Sequence, residues 1–369
     1  MPSPVAQVRN AAKKDDLPNL KAVLRSNPQM AGRALFQAAQ YGRYEIADWL
    51  VDSFSALNYD EMLVTALMPR ATIPTRPGHF AVAQKALELG ADPDARGGWN
   101  HDSALMWAAA GGFADMVDLL IQRGASIGLN EAAALGDLKR VRRRLKKDPA
   151  AVGEADAAGM LPLHCCARSA LGLADANRAA ALAQTAEALI DAGAQVQAPS
   201  IHREEKTFNP CMGPLNWAAS SGNAAVVKVL LAYGAEVDSI GEWGTPLSQS
   251  VLRFPAIAET LFEHGADPNL RIGEDGAAAL HAAANFPHPT SVAWLLAHGA
   301  DPNLRLKDGR TPLHRAAERN ASARVPKMLV EAGAALNPRD ASGLTPLAYA
   351  RQKKKTKVAE YLRGVGGVE

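Results

Sequence analysis

Residues 307–337 read KDGRTPLHRAAERNASARVPKMLVEAGAALN, and both halves of this stretch recur along the chain. The Gly-Ala pair near its end returns at Gly90, Gly124, Gly193, Gly234, Gly265, Gly299 and Gly333. The steps from 90 to 124, from 265 to 299 and from 299 to 333 are each 34 residues. The Thr-Pro-Leu-His tetrapeptide has counterparts at Ser103 (SALM), Leu161 (LPLH), Gly213 (GPLN), Thr245 (TPLS), Ala278 (AALH) and Thr345 (TPLA). Two markers that keep one phase define a repeat, and a period of this length means stacked supersecondary units.

Each unit reads as helix–turn–helix. A hydroxyl caps the first helix, and the proline after it lacks only an N–H that would have no helical partner there. The Ala-Ala pair that follows lets neighbouring units approach closely. A glycine such as Gly112 or Gly222 permits the tight reversal. The second helix reads VVKVLL at 226–231, apolar at helical spacing, and Gly-Ala closes it in the left-handed conformation. No such unit buries its apolar face alone, so the units must stack.

Composition agrees with a stacked, soluble chain. Of 369 residues, 40 are Lys or Arg and 38 Asp or Glu, a net charge of +2, which argues against dedicated nucleic-acid binding. Apolar residues make up 48% and aromatics 5%, so the core is built from Ala, Leu and Val and the chain is not disordered. The longest apolar stretch, 179–196, is broken by Gln184, Glu187 and Asp191, and no membrane span is expected. The opening MPSPVAQVRNAAKKDD lacks the apolar core of a signal peptide. Cys165, Cys166 and Cys211 make no disulfide framework and suit a reducing cytoplasm.

The segments TPLHRAA with GAALN, AALHAAA with GADPN, and GPLNWAASSGNAAVVKVLLAYGAEV resemble the ankyrin repeat. Clear units cover 97–129 and 157–369; weaker ones lie at 8–28, 34–50 and 129–149, and 60–96 reads as a degenerate unit with an inserted loop. The resemblance implies ten or eleven repeats in an all-α solenoid of stacked helix–turn–helix units with short β-hairpin-like fingers. It also implies a protein-interaction scaffold with a concave face of finger tips and first helices. The Ala-rich, loosely regular repeats suggest a bacterial source. Departures fall at 68–80, 171–183 and 199–212, read as insertions, and at 124–133, where a finger is largely deleted. That deletion divides the expectation into an N-terminal subarray, 1–128, and a C-terminal one, 129–369, closed by a cap at 341–369.

On the expected concave face the fingers display Trp99, Asn100, His101 and Asp102 in one unit and Glu242 and Trp243 in another. The turns between helices add Arg253, Phe254 and Phe286. Exposed Trp and Arg are common interface anchors; the alternative is that Trp99 and Trp243 fold back on neighbouring repeats. Trp107 and Trp217 share one slot before the Ala-Ala pair, either lining a groove or, as the resemblance implies, packing between repeats. The same resemblance gives His164, His281 and His314 a structural role linking fingers.

Metal and catalytic readings are weaker. Adjacent Cys165 and Cys166 diverge by about 100° on a helix and do not converge on one ion, so no metal and no cofactor are expected. GxxxxGK[ST] and GxGxxG are absent from the sequence. An alternative pocket, for a small molecule or for catalysis, would be built by the insertions with His79, His202, Arg203, Glu204 and Glu205. In 138–147, Leu138, Val141 and Leu145 form an apolar stripe that turns Lys139, Arg140, Arg142, Arg143 and Arg144 outward, the pattern of a solvated outer helix. The expected partner is a protein rather than nucleic acid or membrane, and the expected state a monomer.

Overall fold

The computed structural model describes residues 2–68, 77–98, 101–156, 159–200, 212–286 and 288–369. These form two compact units, one of 1–195 with 200–209, the other of 196–199 with 210–369.

In the first unit twelve α-helices among the described residues run in pairs: α1 Pro4–Lys14 with α2 Leu17–Ser26, α3 Ala31–Tyr41 with α4 Tyr44–Ser53, and α5 Tyr59–Leu67 with α6 Pro77–Glu88. Then follow α7 Ala104–Gly111 with α8 Ala114–Gln122, α9 Leu129–Leu135 with α10 Leu138–Lys147, and α11 Pro162–Arg168 with α12 Ala176–Asp191. The first helices α1, α3, α5, α7, α9 and α11 stack in order. Ala11, Ala38, Ala108, Ala133 and Ala167 are closed from solvent between them, which is why the small-residue pair recurs. Residue 128, where the sequence predicts a break, lies inside this unit: α9 packs on α7, and Ser103 Oγ donates to Glu131 at 3.3 Å across that junction. The expected finger at 97–103 forms a two-strand hairpin, β1 Arg96–Gly97 antiparallel to β2 Asp102–Ser103.

The second unit holds α13 Pro214–Ser221 with α14 Ala224–Ala232, α15 Pro246–Ser250 with α16 Pro255–Glu263, and α17 Ala279–Asn285 with α18 Pro289–Ala297. It closes with α19 Pro312–Arg319 paired to α20 Arg324–Glu331, and α21 Pro346–Gln352 paired to α22 Thr356–Gly364. Helix starts follow the expected chemistry: Thr245 and Thr345 accept from Ser248 N–H and Ala348 N–H ahead of their prolines. Fingers are reduced to single bridges, Gly241 to Gly244 and Ile272 to Ala277.

Hydrogen bonds spaced by one repeat hold this unit in register. Asn303 Nδ2 donates to the Gly333 carbonyl at 2.9 Å while Asn303 Oδ1 accepts from Ala335 N–H at 2.7 Å. Asn269 does the same with Gly299 and Asp301, and Asn337 with Gly366 and Val368. Beside this row, Arg271 donates to the Arg305 carbonyl, Arg305 to that of Arg339, and Arg339 to that of Glu369. His281 and His314 each take an N–H at Nδ1 from their own helix start, and their Nε2 atoms lie 3.0 and 3.1 Å from the Leu304 and Leu344 carbonyls. Both rings are buried, and desolvation lowers both, His281 to about 4, so they are neutral links.

Candidate functional site

The recurring slot four residues past the cap of a first helix holds tryptophan in each unit. In the first unit Trp107 is 1% exposed, its indole N–H donating to the Gly97 carbonyl at 3.0 Å. The Arg168 guanidinium lies 5.2 Å from the ring centre and is paired with Asp102, and both charged side chains are buried. Asp102, expected on the exposed face, and Trp107, read from the sequence as either lining a groove or packing between repeats, are both buried in this unit. The finger tip turns at His101, exposed and in the left-handed region at φ 54°. Trp99 and Asn100 lie outside the described residues. Arg168 was not singled out in the sequence, since nothing in the repeat pattern marks it as the partner of a finger residue 66 positions earlier.

In the second unit the slot is finished differently. Trp217 is 3% exposed, but the ring that covers it edge-on, at 5.7 Å, is Trp243 from the next finger, itself 43% exposed. That finger is tied down: Gly241 and Gly244 exchange backbone hydrogen bonds, and Asn216 Nδ2 donates to the Ser239 and Gly244 carbonyls, both at 3.1 Å. Asn216 stands where other units carry the TPLH histidine, so its role was readable from that position. Ile240, at 62% exposed, joins Trp243 on the same finger, beside exposed Glu242. Trp243 thus covers Trp217 and is also partly exposed to solvent.

Arg253 and Phe254 follow α15, at the opposite end of that helix from Trp243. The Arg253 guanidinium lies 5.1 Å from the Phe254 ring centre. Phe286, after α17, is 53% exposed. The finger residues and these turn residues therefore mark two edges of the unit rather than one patch.

Of the residues of the alternative pocket, His79 is the one among the described residues. His79 is buried with Nε2 3.2 Å from the Gln40 carbonyl, and its ring rests on Gly42, where a Cβ would sit 2.4 Å from Nδ1. It closes the turn after α3. His202, Arg203, Glu204 and Glu205 lie outside the described residues, as does Cys211. Cys165 and Cys166 are buried; burial pushes the Cys166 thiol up to about 12 and that of Cys165 upward as well, which keeps both protonated. On α10, Val141 and Leu145 face inward as expected, and Arg140 and Arg144 pair locally with Asp137 and Asp148. A cavity of about 380 Å³ in the first unit lies among Leu35, Phe36, Phe54, Leu57, Asn58 and Met62.

No helix among the described residues is long and apolar enough to cross a membrane. A family model described as ankyrin repeats (3 copies) matches residues 280–367, and two described as ankyrin repeat match 100–131 and 212–239. The matched segments contain Trp107 in the first unit and Asn216 and Trp217 in the second.

Proposed function

Proceeding from the premise that this chain is an ankyrin-repeat protein, we propose that it is a non-enzymatic scaffold that grips a protein partner with the 239–244 finger of its second unit. Ankyrin repeats are in general protein-interaction modules. The observation that carries the reading is Trp243, an exposed indole on a finger whose backbone is bridged and bonded to Asn216. Large aromatic anchors supply most of the affinity of many interfaces, and a finger already ordered loses little entropy on docking. Ile240 enlarges the apolar contact and Glu242 supplies a polar rim. The reading includes action as a monomer in a reducing cytoplasm.

A photo-cross-linking residue placed at Trp243, in the full chain, tests this. The expected result is a protein adduct formed from position 243, absent from the exposed outer-helix position Tyr233 and lost when Ile240→Ser is added. Equal adducts from both positions would overturn it.

A further inference from the structure

The opposite edge of the second unit has its own pattern. Counting eight residues from the caps Thr245, Ala278, Thr311 and Thr345 of its first helices reaches Arg253, Phe286, Arg319 and Lys353, all exposed. Two buried bonds hold adjacent repeats together along this edge. Ser291 Oγ donates to the Val251 carbonyl at 2.9 Å, and Asn320 Nδ2 to that of Ala284 at 2.8 Å. Stacked helices sit about 8–10 Å apart, so the row presents cation, aromatic, cation, cation at that step.

The edge is also strongly one-sided in charge. Arg324, Lys354, Lys355 and Lys357 flank the row, and among the described residues of these turns Glu318 is the one carboxylate. Glu318 is already engaged, 3.4 Å from Arg310 and 3.6 Å from Lys353. Hydration of an exposed repeat edge needs charge but not one sign. The first repeat of the first unit illustrates this: its turn carries Lys13 and Lys14 with Asp15 and Asp16, and Asp15 pairs with Arg43 at 3.2 Å. Lys354 adds a backbone argument. It sits at φ 56°, in the left-handed turn position that holds Gly42, Gly112, Gly136 and Gly222 in other repeats, and that conformation costs a side-chain-bearing residue about 1–2 kcal/mol. A lysine stands where those repeats carry a glycine, and Asp15 takes the same position in the first repeat of the first unit.

From this row we infer that the turn edge of the second unit docks an extended acidic peptide segment carrying one apolar side chain among its carboxylates. An extended strand advances about 3.3 Å per residue, so one repeat step matches about three residues. The matching segment has Glu or Asp opposite Arg253, a Leu-like side chain on Phe286, and Glu or Asp opposite Arg319 and Lys353. A nucleic-acid backbone matches less well, because it would press phosphate against the exposed Phe286 ring, which offers it no charge. The inference deepens the scaffold reading and rests on it, but uses a different edge from Trp243.

The test uses the full chain and a fluorescein-labelled peptide with Glu, Leu, Glu and Glu at steps of about three residues, Ser and Gly elsewhere. Binding is expected to weaken at least about tenfold in Arg319→Glu/Lys353→Glu and about threefold in Phe286→Ala, with unchanged circular dichroism. A scrambled peptide of the same composition is expected to bind at least about fivefold more weakly, and Trp243→Ala to leave peptide binding unchanged. Equal binding of the scrambled peptide, tighter binding of a single-stranded oligonucleotide of equal charge, or indifference to the charge reversal would each overturn the inference. Cross-linking from position 243 would stand through any of these failures, which separates the two readings.

Discussion

Trp107 and Trp217 occupy one slot in two units, and their covers differ. In the first unit the cover is a buried ion pair, Arg168 with Asp102, and the indole N–H is spent on the Gly97 carbonyl. In the second it is another indole, half turned to solvent. The first arrangement consumes the finger's polar group in folding; the second leaves an apolar ring partly at the surface. One repeat position can thus be closed off or left partly open to solvent, and the residue laid over it decides which.

The comparison breaks most sharply at Arg168. Arg168→Ala strands the Asp102 carboxylate in the core and is expected to destabilise the first unit by about 3–5 kcal/mol in chemical denaturation, because an unpaired buried charge is far costlier than a lost surface pair. A loss below about 1 kcal/mol would mean that water reaches Asp102 and that the two covers are alike.

Acid is expected to strike the second unit next. His281 and His314 are neutral when folded and titrate near the ordinary 6.5 when unfolded, so the unfolded state binds more protons as pH falls. Stability present above about 6.5 is lost progressively toward pH 4, by about 2–3 kcal/mol for His281 alone, because its folded value is about 4. Denaturation curves of the full chain at several pH values check this, and His281→Asn, copying Asn216, is expected to flatten the dependence.

Smaller effects sharpen the contrast. Trp243→Ala removes an edge-to-face partner and is expected to cost about 1 kcal/mol while abolishing the adduct formed from a cross-linking residue placed instead at exposed Glu242. A much larger loss would make Trp243 a core residue like Trp107. Lys354→Gly is expected to raise stability by about 0.5–1 kcal/mol, relieving the left-handed backbone, while weakening capture of the acidic peptide.

Much of this fold is legible in the sequence because its local rules repeat. Thr-Pro, Ala-Ala and Gly-Ala each encode a cap, a close approach or a left-handed helix end, and each is read without distant partners. The inter-repeat staples were equally open to reading, since Asn269, Asn303 and Asn337 recur at 34 residues. What escaped were pairings between repeats that break the pattern. Arg168 has no marker linking it to Asp102, and a finger residue reads as exposed until its cover is known. His79 reads as part of an inserted loop, yet it is seated on Gly42, a position set by tertiary packing alone. The row from Arg253 to Lys353 is visible in the sequence only once each residue is counted from its own helix cap.

The asparagine staples and the arginine ladder also have a mechanical meaning. Each bond joins only a repeat to its neighbour, so force applied at the chain's end loads one joint at a time. Drawn by its C-terminal residue, the second unit should yield at the Asn337–Val368 and Arg339–Glu369 bonds first. Release would then proceed repeat by repeat, each rupture paying out about 120 Å of chain at about 3.5 Å per residue. Such an array behaves as a ratcheted spring, surrendering length in equal steps under load.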